Sequence, residues 1–428
     1  MTLGINNARI DMNYSLKIVV GLCAFVLPSL QSLPAAGFDW PQWRGPDRTD
    51  VSRETGLLKS WPASGPKRVW LYENAGEGYS GPAIVAGKLF IMGTRDESEC
   101  LLAVDVNSGK ELWVARIGSV FKESRGDGPR GTPTVDGERV YAMSGRGELA
   151  CVNVADGKVL WEQDMTDLGG RIPHWGYTES VLVDGDKVVC TPGGSKGALA
   201  AFEKKTGQRL WQSADFTDPA HYASMIAADI DGTHQYIQLT ERAVVGIAAK
   251  DGKLLWKSNF PGRTAVVPTP IYKDNHVYVT AGYGAGCKLV KVGPGNQASD
   301  VYENKVMKNH HGGVVLAGDH LYGYSDGSGW LCQNFKTGQE VWSERRALGK
   351  GGISCADGML YCVAEDSGTV VLIEASPKGW QERGRFKLDP QTKIRPSQGR
   401  IWTHPVISNG RLYLRDQDLI YCYDVKAS

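Results

Sequence analysis

The sequence predicts an all-β chain folded as one eight-bladed β-propeller of four-stranded antiparallel blades, closed by an N-terminal strand. Three observations predict it: a Gly-to-Trp phrase repeated at constant spacing, a hairpin phrase that recurs eight times, and a composition with 53 Gly and 13 Trp among 428 residues. Gly punctuates turns, so a well-mixed Gly-rich chain implies many short strands rather than a helical bundle. Apolar residues make up 42% of the chain, enough for a sizeable core.

The first phrase is Ala103-Val-Asp105-x-x-Ser108-Gly109-Lys110-x-x-Trp113. It returns from Cys151 to Trp161, and again ending at Thr206-Gly207 with Trp211, Asp251-Gly252 with Trp256, and Thr337-Gly338 with Trp342. The second phrase is an apolar strand, an Asp-Gly-like turn and a β-branched or aromatic strand, as in Val135-Asp136-Gly137 leading to Val140-Tyr141. Asp-Gly between two such runs is a hairpin signal. The second strand aligns at Phe90, Tyr141, Val189, Tyr236, Tyr278, Tyr322, Tyr361 and Tyr413, spaced 39 to 52 residues apart. Units of four strands at this period are propeller blades.

Each unit reads as strands a to d. Strand a leads through the Asp-Gly turn to b, c carries the Ala-x-Asp phrase, and d carries the Trp. The Gly between c and d supplies a positive φ for a tight turn. Trp113, Trp161, Trp211, Trp256 and Trp342 are expected to dock between neighbouring blades and bury large areas. The fifth unit has Tyr302 in the Trp position, and the seventh has Trp380 after a Pro-Lys-Gly turn. The eighth unit ends at Tyr423-Asp424 without a d strand, and Val69-Trp70-Leu71-Tyr72 is a spare one that would close it. Closure through both termini removes exposed sheet edges.

Ahead of the repeats, Ile18 to Leu30 form an apolar run of 13 residues. It is too short to span a bilayer. Lys17 precedes it and Ala35-Ala36-Gly37 follow, the layout of a cleavable secretory signal. The expected organisation is a signal peptide at 1–36, an extension at 37–65 packed on the propeller, and the propeller at 66–428. Removing 1–36 takes away Arg9, Lys17 and Asp11 and leaves basic and acidic residues equal in number. The mature chain should be exported, periplasmic or secreted, with no transmembrane segment. With 48 Lys+Arg against 47 Asp+Glu, nothing points to nucleic acid.

The repeated phrase, in consensus Ala-x-Asp-x-x-Thr-Gly-x-x-x-Trp, resembles the tryptophan-docking repeat of PQQ-like β-propellers over residues 66–428. That superfamily holds the quinoprotein alcohol dehydrogenases and the BamB-like propellers of outer-membrane assembly. Trp40-Pro-Gln-Trp43-Arg44-Gly45-Pro46, with Glu54-x-Gly56-Leu57-Leu58 and Trp61-Pro62, resembles the opening of exported bacterial PQQ-like repeat proteins. The repeat is specific for fold and weak for function, because one fold hosts many sites.

Eight cysteines follow the predicted signal. Cys151, Cys332 and Cys422 align with Ala103 and Ala201, so they read as small core residues. Cys355 and Cys362 flank one Asp-Gly turn and are the best candidates for a local disulfide. No C-x-x-C, P-loop or H-E-x-x-H occurs. Gly282-Tyr-Gly284-Ala-Gly286 reads as turn chemistry, since no helix follows it.

Alternating strand direction puts the d→a and b→c connections on one face, called here the upper face. His174, His221, His310, His311 and His404 fall in d→a segments, where strand a begins near the axis. Arg130, Trp175, Tyr177, Glu179 and Lys350 share those segments, as do Tyr79, Tyr222 and Trp402. Together they suggest an axial funnel of imidazoles, cations and rings that would suit a planar anion, a sugar or an imidazole-held metal. Adjacent His310 and His311 point to opposite sides of a strand, so no metal site is assigned. Two functions stay open. One is a non-catalytic binding or scaffold module for a small-molecule ligand or an envelope protein. The other, implied by the resemblance, is a periplasmic quinoprotein-type oxidoreductase using PQQ with calcium on an alcohol or sugar. The chain lacks the adjacent Cys pair and the Asp/Glu/Asn calcium set that the second would bring.

Overall fold

The computed structural model describes residues 1–2 and 37–427. Two units divide the chain, Met1–Gly37 and Phe38–Ser428. Apart from its first two residues, the predicted signal segment lies outside the described residues.

Eight antiparallel sheets form the second unit, and no α-helix occurs among the described residues. The inner a strands of blades one to eight are Ala83–Val85, Thr134–Asp136, Leu182–Asp184, Ile226–Ile230, Ile271–Lys273, Val314–Ala317, Gly351–Ala356 and Val406–Ser408. Blades one to seven supply their own d strand. Blade eight takes Lys67–Tyr72, which pairs antiparallel with Leu419–Asp424. The fold and its closure are those expected from the repeat.

The docking arrangement gives the turn glycine a second reason. The rings of Trp70, Trp113, Trp161 and Trp211 lie flat over Gly109, Gly157, Gly207 and Gly252 of the next blade. A Cβ on Gly157 would sit 2.7 Å from the Trp113 ring, and its φ is +75°. Only glycine meets both conditions. Each indole N–H then donates to a neighbouring carbonyl: Trp113 to Val154 at 3.1 Å, Trp161 to Lys204 at 3.1 Å, Trp211 to Ala249 at 3.3 Å. Trp342 donates to Ser376 O at 2.9 Å. Tyr302 stands in for Trp in blade five, covering Gly338 and donating its hydroxyl to Phe335 O at 2.8 Å.

Trp256 departs from this pattern. Its Nε1 donates to Gln235 Oε1 of its own blade, and its ring covers Gly246, which faces it across the strand pair. Blade five explains the change, because its c–d turn is Gly293 followed by the 3-10 turn Pro294–Asn296, without the Thr-Gly phrase. The strand b residue opposite Gly246 is Ile237, one position along from the Tyr236 aligned by sequence. Blade seven departs too. Gly384, not Trp380, faces Leu372 in the docking position. Trp61 of the N-terminal extension lies over Gly384, with its ring 5.9 Å from Tyr361. The same spacing separates Trp161 from Tyr141 within blade two. The extension thus supplies the ring that blade seven lacks.

Residues 40–52 occupy the centre, touching the inner end of every blade. Trp40 bridges Ile84 of blade one, and Pro41 O accepts Val135 N–H of blade two at 2.8 Å. Arg48 donates to Val181 O at 2.5 Å and Met225 O at 2.8 Å, at blades three and four. Trp43 Nε1 donates to Thr269 Oγ1 of blade five at 2.9 Å, and Arg44 to Val314 O of blade six at 2.6 Å. Asp50 O accepts Cys355 N–H of blade seven at 2.7 Å, where Val51–Ser52 adds a parallel fifth strand. Asp50 Oδ2 meets His404 Nδ1 of blade eight at 2.9 Å. Arg44 and Asp50 are ion-paired at 2.9 Å with each side chain 1% exposed. Arg44, Arg48 and Asp50 all hold positive φ, a strain that persists where many contacts fix the backbone. Phe38 and Leu57 bond to the a→b turns at Asn409 and Asp357, so the segment comes in and leaves through the lower face.

All eight described cysteines are buried and free. Cys355 faces Leu360 and Cys362 faces Ile353, so the two thiols sit diagonally rather than opposite, and the expected bridge is not formed. Burial pushes the Cys355 thiol up to about 12.

Candidate functional site

The upper face opens into a blind cavity of about 180 Å³ on the axis, with Trp43 of the central segment in its wall. The d→a segments supply nearly all of the rest. Trp175 and Tyr222, before blades three and four, form one aromatic wall with ring centroids 5.4 Å apart. Tyr79 and Trp402, before blades one and eight, form another at 4.9 Å. Arg130 lies between these walls at blade two. His310 and His311 lie between them at blade six, on the far side of the eight-membered ring.

Arg130 is held by its own loop. Its guanidinium donates to Gly126 O at 2.8 Å and to Gly128 O, and it stacks 4.8 Å from Phe121 and 5.6 Å from Tyr79. Burial lowers its pKa, opposed by Glu99 behind it. Among the described residues no carboxylate forms an ion pair with Arg130. Glu99 accepts Phe121 N–H at 2.9 Å and Gly145 N–H at 2.7 Å, and burial raises it to about 7. Arg125 lies 5.3 Å over the Trp175 ring and pairs with Glu123 at 3.1 Å.

The histidines face other constraints. Burial, with Lys350 adding to it, lowers His310 to about 4, so its imidazole is neutral at pH 7. Lys350 Nζ lies 3.1 Å from His310 Nδ1 and donates to Asp326 at 2.7 Å. Burial and the nearby His310 push His311 well down, and its Nε2 lies 3.2 Å from Glu365.

The predicted funnel residues therefore separate. Arg130, Trp175, His310 and His311 line the cavity, and Lys350 stands behind His310. His174 is exposed and outside the lining, although its ring touches Trp175. Tyr177 is 1% exposed and donates its hydroxyl to Pro192 O at 2.9 Å, a core contact. Glu179 is buried under the floor, where Thr191 N–H donates to it at 2.6 Å and burial raises it to about 7. His404 is buried between Asp50 and His311 O, tying the central segment to blade eight. These three lie in the irregular segments before strand a, where the hydrogen bonds just named, not strand alternation, set their direction.

Trp43, Glu123, Arg125 and Tyr283 line the cavity without being singled out in the sequence. The long charged d→a loop from Val120 to Arg130 was the available signal for two of them. Tyr283 stands in the Gly-rich b→c turn with positive φ, its ring 4.7 Å from His310. A Gly-x-Ser-x-Gly phrase, Gly193 to Gly197, lies in the b→c connection of blade three. It joins two strands with no helix after it, so Ser195 is not on a nucleophile elbow.

A quinone site of the dehydrogenase kind does not fit these residues. No cysteine lines the cavity, and among the described residues no group of three His, Cys, Asp or Glu is arranged to hold a metal ion. What the fold and cavity define is a tryptophan-docked, eight-bladed propeller with a filled axis and a blind aromatic pocket on its upper face. The family described as "Outer membrane protein assembly factor BamB" matches residues 97–344, more than half the chain, and the chain belongs to that family. The BamB of Shewanella oneidensis is 20% identical over 383 residues, 83% of this chain and 86% of that one. Among solved structures, BamB from Moraxella catarrhalis aligns with a TM-score of 0.60 at 15% identity, covering 84% of this chain and 98% of that one. The quinohemoprotein alcohol dehydrogenase from Comamonas testosteroni aligns at 0.61 with 12% identity, covering 92% and 81%. Both structural likenesses show the fold alone.

Proposed function

We propose that this chain is an exported, non-catalytic binding propeller that holds a ligand or an envelope protein at its upper face. The observation that carries the reading is the blind cavity itself. Three of its polar groups hold loops: Ser180 Oγ accepts Thr132 N–H, Ser224 Oγ accepts Ser180 N–H, and Glu123 binds its own loop. No lining serine is paired with a base, so no activated nucleophile is in place, and the lining imidazoles His310 and His311 are engaged by Lys350 and Glu365. Family membership supports a scaffold role, since the relatives are named as assembly factors. Export rests on the apolar N-terminal run. Among the described residues no helix is long and apolar enough to cross a membrane.

The test uses protein produced in its native host from the full chain. Mass spectrometry of the soluble envelope fraction should find a mature chain that starts near residue 37. Addition of PQQ and calcium, with alcohols or sugars and a dye acceptor, should give no dye reduction. Cytosolic protein with residues 1–36 retained overturns the export reading, and saturable dye reduction overturns the non-catalytic one.

A further inference from the structure

We propose that the upper cavity binds a single-ring aromatic monocarboxylate, with its ring between the two aromatic walls and its carboxylate at Arg130. This rests on the reading of that face as a binding site. Three observations narrow the ligand.

The first is size. A volume of about 180 Å³ is close to the roughly 150 Å³ engineered cavity that accepts benzene. One substituted ring fills it, and a larger ligand would extend through its open mouth.

The second is charge. Arg130 is a half-buried cation in the cavity wall, with Glu99 behind it but no ion-paired carboxylate among the described residues. Two of its five donors are occupied by Gly126 O and Gly128 O. Its plane is fixed by Phe121 and Tyr79, which preorganises the remaining N–H groups. A carboxylate supplies a direct ion pair and acceptors for those N–H groups. The neighbouring cation, Arg125, already has Glu123.

The third is the balance of donors and acceptors. Arg125 and Arg130 already cover the faces of Trp175 and Tyr79, so a cationic ligand would meet like charge where an aromatic cage needs open rings. A sugar needs acceptors for its hydroxyl protons. The charged acceptor and the serines of the wall are engaged: Glu123 accepts from Arg125 N–H at 2.8 Å and Ser124 Oγ at 2.9 Å, and the serines accept backbone N–H groups, which leaves a sugar few acceptors beyond the Thr178 and Tyr283 hydroxyls. An anion only accepts and has no such need. At the opposite end the ring meets neutral His310, whose imidazole can hydrogen-bond a substituent para to the carboxylate.

The experiment is calorimetric titration of the mature full-length chain, with tryptophan fluorescence as a second readout. The probes are benzoate, 4-hydroxybenzoate, benzyl alcohol, phenyltrimethylammonium and methyl glucoside. Benzoate and 4-hydroxybenzoate should bind, the latter more tightly, and the cation and the sugar should not. Arg130→Gln should weaken both acids by about tenfold or more, as expected for loss of a charge-assisted bidentate contact, and leave benzyl alcohol unchanged. Val267→Phe, which fills the cavity without touching the Arg130 loop, should abolish acid binding in a chain that unfolds like the parent. Equal benzoate affinity in Arg130→Gln or Val267→Phe overturns the proposal. Binding of the cation or the sugar, abolished by Val267→Phe, overturns the acid assignment while the cavity stands as a binding site. Binding of no probe overturns the assignment as well. Dye reduction with any probe overturns the non-catalytic reading, whatever the affinities.

Discussion

Replacing Trp61 by Ala should destabilise the propeller as much as removing a core aromatic, although Trp61 lies outside every repeat. The side chain is 7% exposed, and its ring sits 5.9 Å from Tyr361 and 5.3 Å from Phe386. Truncating such a ring costs about 3–5 kcal/mol, the sum of lost transfer energy and the cavity left behind. The backbone bond from Trp61 N–H to Arg383 O survives the change, so it adds nothing to the loss. The indole N–H is buried without an acceptor. Trp61→Phe therefore gives up no hydrogen bond and should stay within about 1.5 kcal/mol of the parent. At an unfolding entropy near 2.1 cal/mol/K per residue, the Phe38–Ser428 unit moves roughly 1 °C per kcal/mol. Calorimetry should then place the Trp61→Ala midpoint about 4–6 °C below the parent. Trp380→Ala, which removes a half-buried ring outside the docking position, should shift it less. A Trp61→Ala midpoint no lower than that of Trp380→Ala would refute the idea that the extension completes blade seven.

Gly157→Ala should cost about 2–5 kcal/mol, the left-handed backbone term of about 1–2 kcal/mol plus about 1–3 kcal/mol for a Cβ pressed on the Trp113 ring at 2.7 Å; Gly185→Ala, with positive φ but open space around it, should cost only the backbone term of about 1–2 kcal/mol. Urea titration of the pair checks the difference, and equal losses would remove the docking explanation. Arg44→Leu should lower stability by about 3–5 kcal/mol, because it removes the ion-pair partner of Asp50, which is 1% exposed; in urea melts, recovery by Asp50→Asn on the same background is the diagnostic result. Glu179 is raised to about 7 by burial, so the folded state holds its proton more tightly than the unfolded one. Its contribution is present below the ordinary glutamate range and is lost as pH rises through about 7. Stability measured at pH 5 and pH 8 should fall more for the parent than for Glu179→Gln, and parallel pH profiles would disprove the assignment.

The blades were readable because each repeats the same local physics: an Asp-Gly hairpin, a glycine under a ring, and an indole facing a carbonyl. Closure by Val69 to Tyr72 was readable because a spare d-type strand stood where the last blade lacked one. The central segment carried no such signal. Trp40 to Ser52 has no period, and its partners lie in eight separate blades. Trp256 misled for a different reason: the Gly-to-Trp spacing is kept, but Gly246 opens room in its own blade and blade five offers no glycine shelf. At the cavity, the d→a segments were correctly located by strand alternation. Which of their side chains face the axis was not, because neighbours such as Trp175 and Tyr177 diverge by backbone details that no pattern of residue types records.

The central segment also sets an order of assembly. Phe38 N–H bonds to Asn409 Oδ1 and Ser408 Oγ to Phe38 O, contacts spanning 371 and 370 positions. Synthesis from the N-terminus presents residues 38–72 first, yet their partners in blade eight arrive last. Until then the buried Arg44, Arg48 and Asp50 have no complete socket, and Lys67–Tyr72 is an unpaired strand. The earliest residues made are thus the latest to find all their partners, and these long-range contacts raise the contact order on which slow folding depends.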